Sequence, residues 1–518
     1  MVENQQTEEE VVENQVADKT AQPEAVQSES AAGGSTAAAP VYTGFKGRLD
    51  NFFGISKMGS NFKTEILAGL TTFMTMVYIL FVNADFFTAV GGSGVTKEGA
   101  YVFTALSAIV GTLLMTFLAK LPFAQAAGMG LNTFFCFTIC GTYGFSYGNA
   151  LLIVLCSGFL FLLLTIIGAR QAIVRAVPEA IRLGIPAGIG LFIAFIGLQQ
   201  AGVVIANSGT IVGLLSFNLV DRTTDALALI SALIALLTLM LIAILSKLKV
   251  KGSVFFGIVG GTILYYILAG IGAGAGSSTC KAMFEAIKFT NPGEAFVNFG
   301  KESIGQVFIS GFTGISGSQI FSFIAAMISF AMVDMFDTIG TLMGTCQAAG
   351  KESGLIDENG EVKNIQKALL CDSIATCTGA ILGCSTITTF VESSSGVAEG
   401  GRTGFTSLVV SVLFFIAMFL SPLATLIPRS ATAGALLYVG VLMLGGIKNL
   451  DWKDPAVAIP AFLTIIMMPF TYSISYGIGF GFVSYTIIKL CTGKWRDISI
   501  VTAILTVFFI LNFILFPH

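Results

Sequence analysis

Fourteen largely apolar segments follow one another between residues 66 and 490, from 66–86 and 100–119 at one end to 455–471 and 473–490 at the other. A helix needs about 20 apolar residues to cross the hydrocarbon core of a bilayer, so the segments read as successive membrane spans. Charge supports this. Only 57 of the 518 residues are charged, 27 Lys and Arg with 30 Asp and Glu, where a soluble domain carries roughly 25%. So few charges cannot cover a water-facing surface, which excludes a soluble enzyme. The expected fold class is an all-α polytopic membrane protein with about 14 transmembrane segments.

The charges that remain are sorted. Residues 1–44 hold eight acids and one base, and the rest of the chain holds 22 acids and 26 bases. The head is rich in Gln, Ser, Ala and Thr and lacks the apolar content to fold, so a disordered acidic cytosolic tail is expected. Residues 45–65, with Phe45, Phe52, Phe53 and Phe62, read as an amphipathic piece at the interface. Basic residues cluster before the first segment and after the even-numbered ones, as at Lys247, Lys249 and Lys251. That pattern puts the N-terminus and the even loops in the cytosol of a multi-pass cell (plasma) membrane protein. A further apolar stretch, 499–516, is either a fifteenth span or an interfacial piece. The long 275–318 connection reads as an extracytoplasmic loop.

Chemistry is narrowed by what is missing. The one histidine is His518, the last residue. A histidine metal site, a Ser-His-Asp triad and a histidine proton relay are thereby excluded, and proton chemistry must use carboxylates. No cofactor or metal is expected. The nine cysteines form no CxxC pair and read as small buried hydrophobes. No Walker lysine motif is present, so ATP hydrolysis is not expected within this chain.

Polarity inside the apolar segments is the informative exception. Segments three and ten are short and polar, with Gly128-Met129-Gly130-Leu131-Asn132-Thr133 and with Ser385-Thr386-Ile387-Thr388-Thr389-Phe390-Val391-Glu392. Irregular backbone at membrane depth survives only where protein buries it or it lines a wet cavity. Two interrupted spans at matching positions of two halves point to a transport site. A weak echo of the Pro178 stretch at Pro428, seven segments later, suggests inverted halves. Asp334 and Asp337, at i and i+3, share a face of the eighth segment. One charge at the bilayer centre costs about 2.5–3.5 kcal/mol on insertion scales, so two imply a use, either substrate binding with proton exchange or a structural pair held by nearby hydroxyls. Glu392 is the third such acid. Asn132 serves either a ligand or the helix gap, and the Thr72 and Thr75 face of the first segment could line the site. Glu399 and Arg402 read as capping or packing groups at the cytosolic mouth.

At Leu70-Thr71-Thr72-Phe73-Met74-Thr75-Met76-Val77-Tyr78-Ile79, Gly128 to Asn132, Asp334-Met335-Phe336-Asp337-Thr338-Ile339-Gly340-Thr341 and Glu392 to Gly404, the chain resembles the nucleobase–cation symporter type 2 superfamily. It looks most like the branch that carries adenine, guanine and hypoxanthine, from about Gly44 to Leu490. The resemblance implies two inverted seven-segment repeats, 66–274 and 319–490, with 491–518 left over. It implies a core domain (66–168 plus 319–425) and a gate domain (180–274 plus 431–490), with half-helices and short strands at segments three and ten. It also implies proton-coupled purine uptake by an elevator-like movement, in a homodimer formed through the gate, with the proton as coupling ion and purine base and membrane lipid as partners, and no nucleic acid. By motif position, Asp334 and Glu392 would hold the purine, Asn132 and Asp337 would complete or orient the site, and the three acids would carry proton coupling. Phe390 and Val391 would offer backbone groups, and Phe134 would stack on the ring. The absence of a histidine in segment eight fits the purine branch.

Two other classes are weighed. An anion transporter or channel of the same architecture would favour helix N-termini with Arg or Lys, and three acids argue against it. An intramembrane aspartyl protease needs its acids on two facing helices, whereas Asp334 and Asp337 share one.

Overall fold

In the computed structural model, the residues described are 43–89, 94–168, 176–207, 209–217, 226–285, 291–357 and 362–515. The acidic head expected to be disordered lies outside them, apart from its last two residues. In chain order the helices are α1 (Gly44–Phe53), α2 (Phe62–Met76), α3 (Ile79–Ala89), α4 (Lys97–Leu114), α5 (Met129–Thr133), α6 (Tyr147–Ile166), α7 (Glu179–Gln200), α8 (Ala226–Lys247) and α9 (Ser253–Gly274). They continue as α10 (Ser278–Glu285), α11 (Pro292–Glu302), α12 (Gln306–Ile309), α13 (Ile320–Ala349), α14 (Ile365–Leu382), α15 (Ser393–Ala398), α16 (Gly404–Met418), α17 (Arg429–Met443), α18 (Pro455–Thr471), α19 (Ile474–Cys491) and α20 (Ile500–Leu515). Four short strands interrupt them: β1 (Gln125–Ala127), β2 (Val204–Asn207), β3 (Ile211–Leu214) and β4 (Ile387–Thr389).

The helices pack as two groups. One joins α2, α3, α4, α6, α13, α14, α15 and α16, and the other joins α7, α8, α9, α17, α18 and α19. These are the core and gate of an inverted-repeat membrane fold. Inside the gate, packing is backbone against backbone. A Cβ on Gly190 of α7 would lie 2.8 Å from the Gly440 carbonyl of α17, and one on Gly188 would lie 3.1 Å from the Ile465 Cα of α18. Apolar packing alone gives little drive between helices in lipid, so small residues that admit close approach hold them together.

Three details add to the sequence reading. The regular helix of the first span is interrupted at Val77–Tyr78, between α2 and α3. The 275–318 connection is largely helical, as α10, α11 and α12, and Glu302 at the end of α11 accepts hydrogen bonds from the backbone N–H (2.8 Å) and hydroxyl (2.9 Å) of Thr96 at the start of α4. Most of the stretch 499–516 forms α20, which runs back along α19, with ring centroids 6.0 Å apart for Phe482 and Phe509 and 5.1 Å for Phe480 and Phe513. The piece expected at the interface is α1, whose Phe53 ring sits 5.7 Å from that of Phe405.

Acids buried in the interior are also more numerous than expected. Besides Asp334, Glu65, Asp85, Glu98 and Asp372 are buried. Glu65 accepts from the backbone N–H groups of Arg402, Thr403 and Thr406 and from both threonine hydroxyls. It therefore supplies acceptors to orphan donors around the start of α16. Asp85 forms an ion pair with Lys97 at 2.7 Å and accepts from the Thr432 hydroxyl at 2.6 Å.

Candidate substrate site

The site begins with a conflict between backbone and membrane. Segments three and ten are too polar and too β-branched to cross as plain helices, and an extended strand in lipid would leave its backbone unpaired. The two solve the problem together. Strands β1 and β4 pair antiparallel, with Gln125 opposite Thr389, Ala126 opposite Thr388 and Ala127 opposite Ile387. Pairing extends at both ends, from Phe390 N–H to Ala124 C=O (3.0 Å) and from Gly128 N–H to Thr386 C=O (3.2 Å). Room for the ribbon comes from Gly111 of α4 and Gly379 of α14, where a Cβ would meet Ile387 side-chain atoms at 2.9 Å.

Beyond each strand the chain turns into a half-helix, α5 after β1 and α15 after β4. A cavity of about 650 Å³ opens there, a size typical of small-molecule sites. Core residues line one side: Gly128, Met129 and Gly130; Phe336, Asp337, Gly340 and Thr341 on α13; and Thr389, Phe390, Val391, Glu392, Ser394 and Ser395. Gate residues Pro186, Val439, Leu442, Met443 and Gly446 close the other side. The wall thus carries two carboxyls, four hydroxyl side chains (Thr341, Thr389, Ser394 and Ser395) and, among the described residues, no lysine or arginine.

The sequence-predicted residues divide between this wall and the layer behind it. Asp337, Glu392, Phe390 and Val391 are on the wall. Asp334 is not: it is fully buried one turn earlier on α13, where the Thr376 hydroxyl of α14 donates to its Oδ2 at 3.4 Å. The i, i+3 spacing gives a shared face, but of the two only Asp337 lines the cavity. Asn132 also lies behind the wall. Its Nδ2 donates to Asn83 Oδ1 at 2.7 Å and its Oδ1 accepts from the Ser385 hydroxyl, so it ties α5 to α3 and to the start of segment ten. Phe134 is buried against Phe330, with centroids 4.9 Å apart, and does not face the cavity. The rings on the wall are those of Phe336 and Phe390. Thr75 donates to the carbonyls of Thr71 and Thr72 on its own helix, and Thr72 is buried between α2 and α15, so neither lines the cavity.

Behind the two wall carboxyls are partners that the sequence did not reveal. The Tyr78 hydroxyl donates to Glu392 Oε1 at 2.7 Å. The Thr388 hydroxyl lies 3.3 Å from Asp337 Oδ2 and 2.8 Å from the Thr338 hydroxyl, which itself donates to Asp372 Oδ1 at 2.6 Å. One hydroxyl proton can serve only one acceptor at a time, so Thr388 chooses between Asp337 and Thr338. Asp372 carried no signal beyond being an acid in a short apolar stretch. Nothing in the sequence shows that Tyr78 and Glu392 meet across 314 positions.

The profile of the permease family that includes xanthine and uracil permeases matches residues 63–480. The chain belongs to the nucleobase–cation symporter type 2 permease family. This permease is a transporter and not an enzyme. It is 37% identical over 472 residues to adenine permease AdeQ of Escherichia coli, covering 90% of this chain and 97% of that protein. It is 39% identical over 470 residues to guanine/hypoxanthine permease PbuO of Bacillus subtilis, covering 89% and 100%. Among solved structures, the transmembrane domain of the cyanobacterial bicarbonate transporter BicA matches with a TM-score of 0.55 at 15% identity, over 80% of this chain and 97% of that one. SLC26A9 matches with a TM-score of 0.53 at 14% identity, over 86% and 69%. Those two likenesses concern the fold alone.

Proposed function

We propose that this permease takes up purine nucleobases (guanine, hypoxanthine or adenine) together with protons, by an elevator-like movement of core against gate. One observation carries the reading: the cavity at the core–gate boundary holds Asp337 and Glu392 and, among the described residues, no basic side chain. Carboxylates accept hydrogen bonds from the N–H edges of a purine, and Phe336 and Phe390 offer rings beside them. A wall of this kind is a poor match for a bicarbonate-like anion, and the relatives' names point the same way. The same carboxylates are the groups able to load and release a coupling proton. The permease is read as sitting in the cell membrane with its N-terminus in the cytosol, as a homodimer formed through the gate.

Uptake of labelled hypoxanthine, challenged by adenine, guanine, xanthine, uracil and bicarbonate with and without a pH gradient, tests this. Purines compete, bicarbonate does not, and the gradient drives accumulation. Asp337→Asn and Glu392→Gln each abolish uptake while the protein still reaches the membrane. Normal uptake by both variants would remove the site, and competition by bicarbonate alone would restore the anion reading.

A further inference from the structure

The cavity explains what Glu392 faces, but not what holds it there. Glu392 is the last residue before α15 and projects a flexible side chain into an open space. A ligand that had to order those rotors would lose affinity in doing so, and fixing them in advance avoids the loss. The Tyr78 hydroxyl, 2.7 Å from Glu392 Oε1, is placed to do this.

The placement of Tyr78 follows from the interruption of the first span. The helical ladder breaks at Val77–Tyr78, and the Tyr78 carbonyl becomes the acceptor for Phe81 and Val82 at the start of α3. The ring is 1% exposed and is not on the cavity wall, so it reaches a ligand only through Glu392. Helix α2, just before Tyr78, is locked to α15, just after Glu392. A Cβ on Gly396 of α15 would lie 2.1 Å from Thr72 Oγ1 and 2.6 Å from the Ala68 carbonyl of α2. With backbones this close, the phenol and the carboxyl share one rigid frame. A phenol is also suited chemically: it donates one strong hydrogen bond to a carboxylate and does not compete as a charge.

We infer that Tyr78 is a positioning residue for the substrate site, which holds the Glu392 carboxyl ready for the purine. The inference rests on the purine reading above. The first-span break is thus part of the binding machinery and not only a kink.

Kinetics of purine uptake by the full-length permease in cells provide the test, with labelled hypoxanthine and labelled adenine as probes. Tyr78→Phe keeps the ring and removes only the donor, so KM rises about tenfold while the maximum rate per transporter at the surface stays within about twofold, the loss expected for one hydrogen bond to a charged group. Tyr101 is the control. It is equally buried and donates to the Ala417 carbonyl at 3.0 Å, away from the cavity, so Tyr101→Phe leaves KM unchanged. Replacing Tyr78 with 4-aminophenylalanine by amber suppression restores a donor on the same ring and returns KM towards the wild-type value. A KM unchanged in Tyr78→Phe, an equal rise in Tyr101→Phe, or no rescue by 4-aminophenylalanine overturns the inference while the purine reading stands. If the wild type takes up neither probe, the purine reading fails and the inference falls with it.

Discussion

Core and gate approach closely beside the cavity, and this makes Gly130 a sensitive position. It sits on α5, at the cavity wall, facing Ile189 of gate helix α7. A Cβ placed there would lie 2.4 Å from Ile189 Cγ2, whereas ordinary contact begins near 3.4 Å. The neighbour cannot easily yield. Cγ2 belongs to a β-branched side chain that strongly prefers one χ1 rotamer in a helix. Gly130→Ala therefore forces either that rotamer or a separation of about 1 Å between core and gate, and overpacking of this kind costs typically 1–3 kcal/mol. At 1.4 kcal/mol per factor of ten, the arrangement seen here becomes about 5- to 150-fold less populated relative to others. If transport passes through it, the maximum rate of uptake falls by about tenfold, with the amount of protein in the membrane unchanged. Ile189→Ala removes the opposing methyl group and relieves the defect in the double variant. Full uptake by Gly130→Ala, or a double variant no better than the single, would refute the reasoning.

Other expectations concern stability, motion and topology. Glu65→Leu leaves the N–H groups of Arg402 and Thr403 without their acceptor, at about 2 kcal/mol or more in total; a clear fall in the melting temperature of detergent-solubilised protein by fluorescence-detected gel filtration checks it, and an unchanged value would show that water replaces the carboxylate. Lys251, at the corner before α9, pairs with Glu399 of the core at 2.7 Å and both side chains are partly exposed. Such a bridge is worth about 0–1 kcal/mol, so alanine at either position leaves uptake nearly unchanged, whereas Lys251→Cys with Glu399→Cys, joined by a short bismaleimide in a Cys491→Ser background, arrests it. Because α20 runs back along α19, Cys491 and the chain's end should lie on opposite membrane faces; an impermeant maleimide and an antibody to a C-terminal tag should each reach its target from a different side of sealed vesicles.

The membrane fold was legible because apolar length is a one-dimensional signal. The bounds expected for the sixth and seventh segments, 226–247 and 253–274, are those of α8 and α9. The interrupted segments were legible too, since their glycines, hydroxyls and β-branched residues contradict a plain span. What the sequence hid depends on three-dimensional closure. The break at Tyr78 has no proline or glycine to announce it. The register of Gln125 with Thr389 joins residues 264 apart, and periodicity says nothing about such a pairing. Asp334 and Asp337 share one helix, but their spacing does not say which of them meets the cavity, and only Asp337 does.

That last distinction changes how a charge inside a membrane should be read. The insertion cost argues that each buried acid has a use, yet it does not say which use. In this permease the partners decide. Glu65 is surrounded by the donors of a helix start, and Asp85 is paired with Lys97 and bonded by Thr432; both hold elements in place. Asp334 and Asp372 receive threonine hydroxyls from neighbouring helices in the layer behind the cavity wall. Asp337 and Glu392 differ in having one side supported, by Thr388 and by Tyr78, and the other side open to a space. An acid held from behind and open in front is arranged to bind something that moves. The same rule separates Phe336 and Phe390 from Phe134, which is packed on all sides and has no face to offer a ligand.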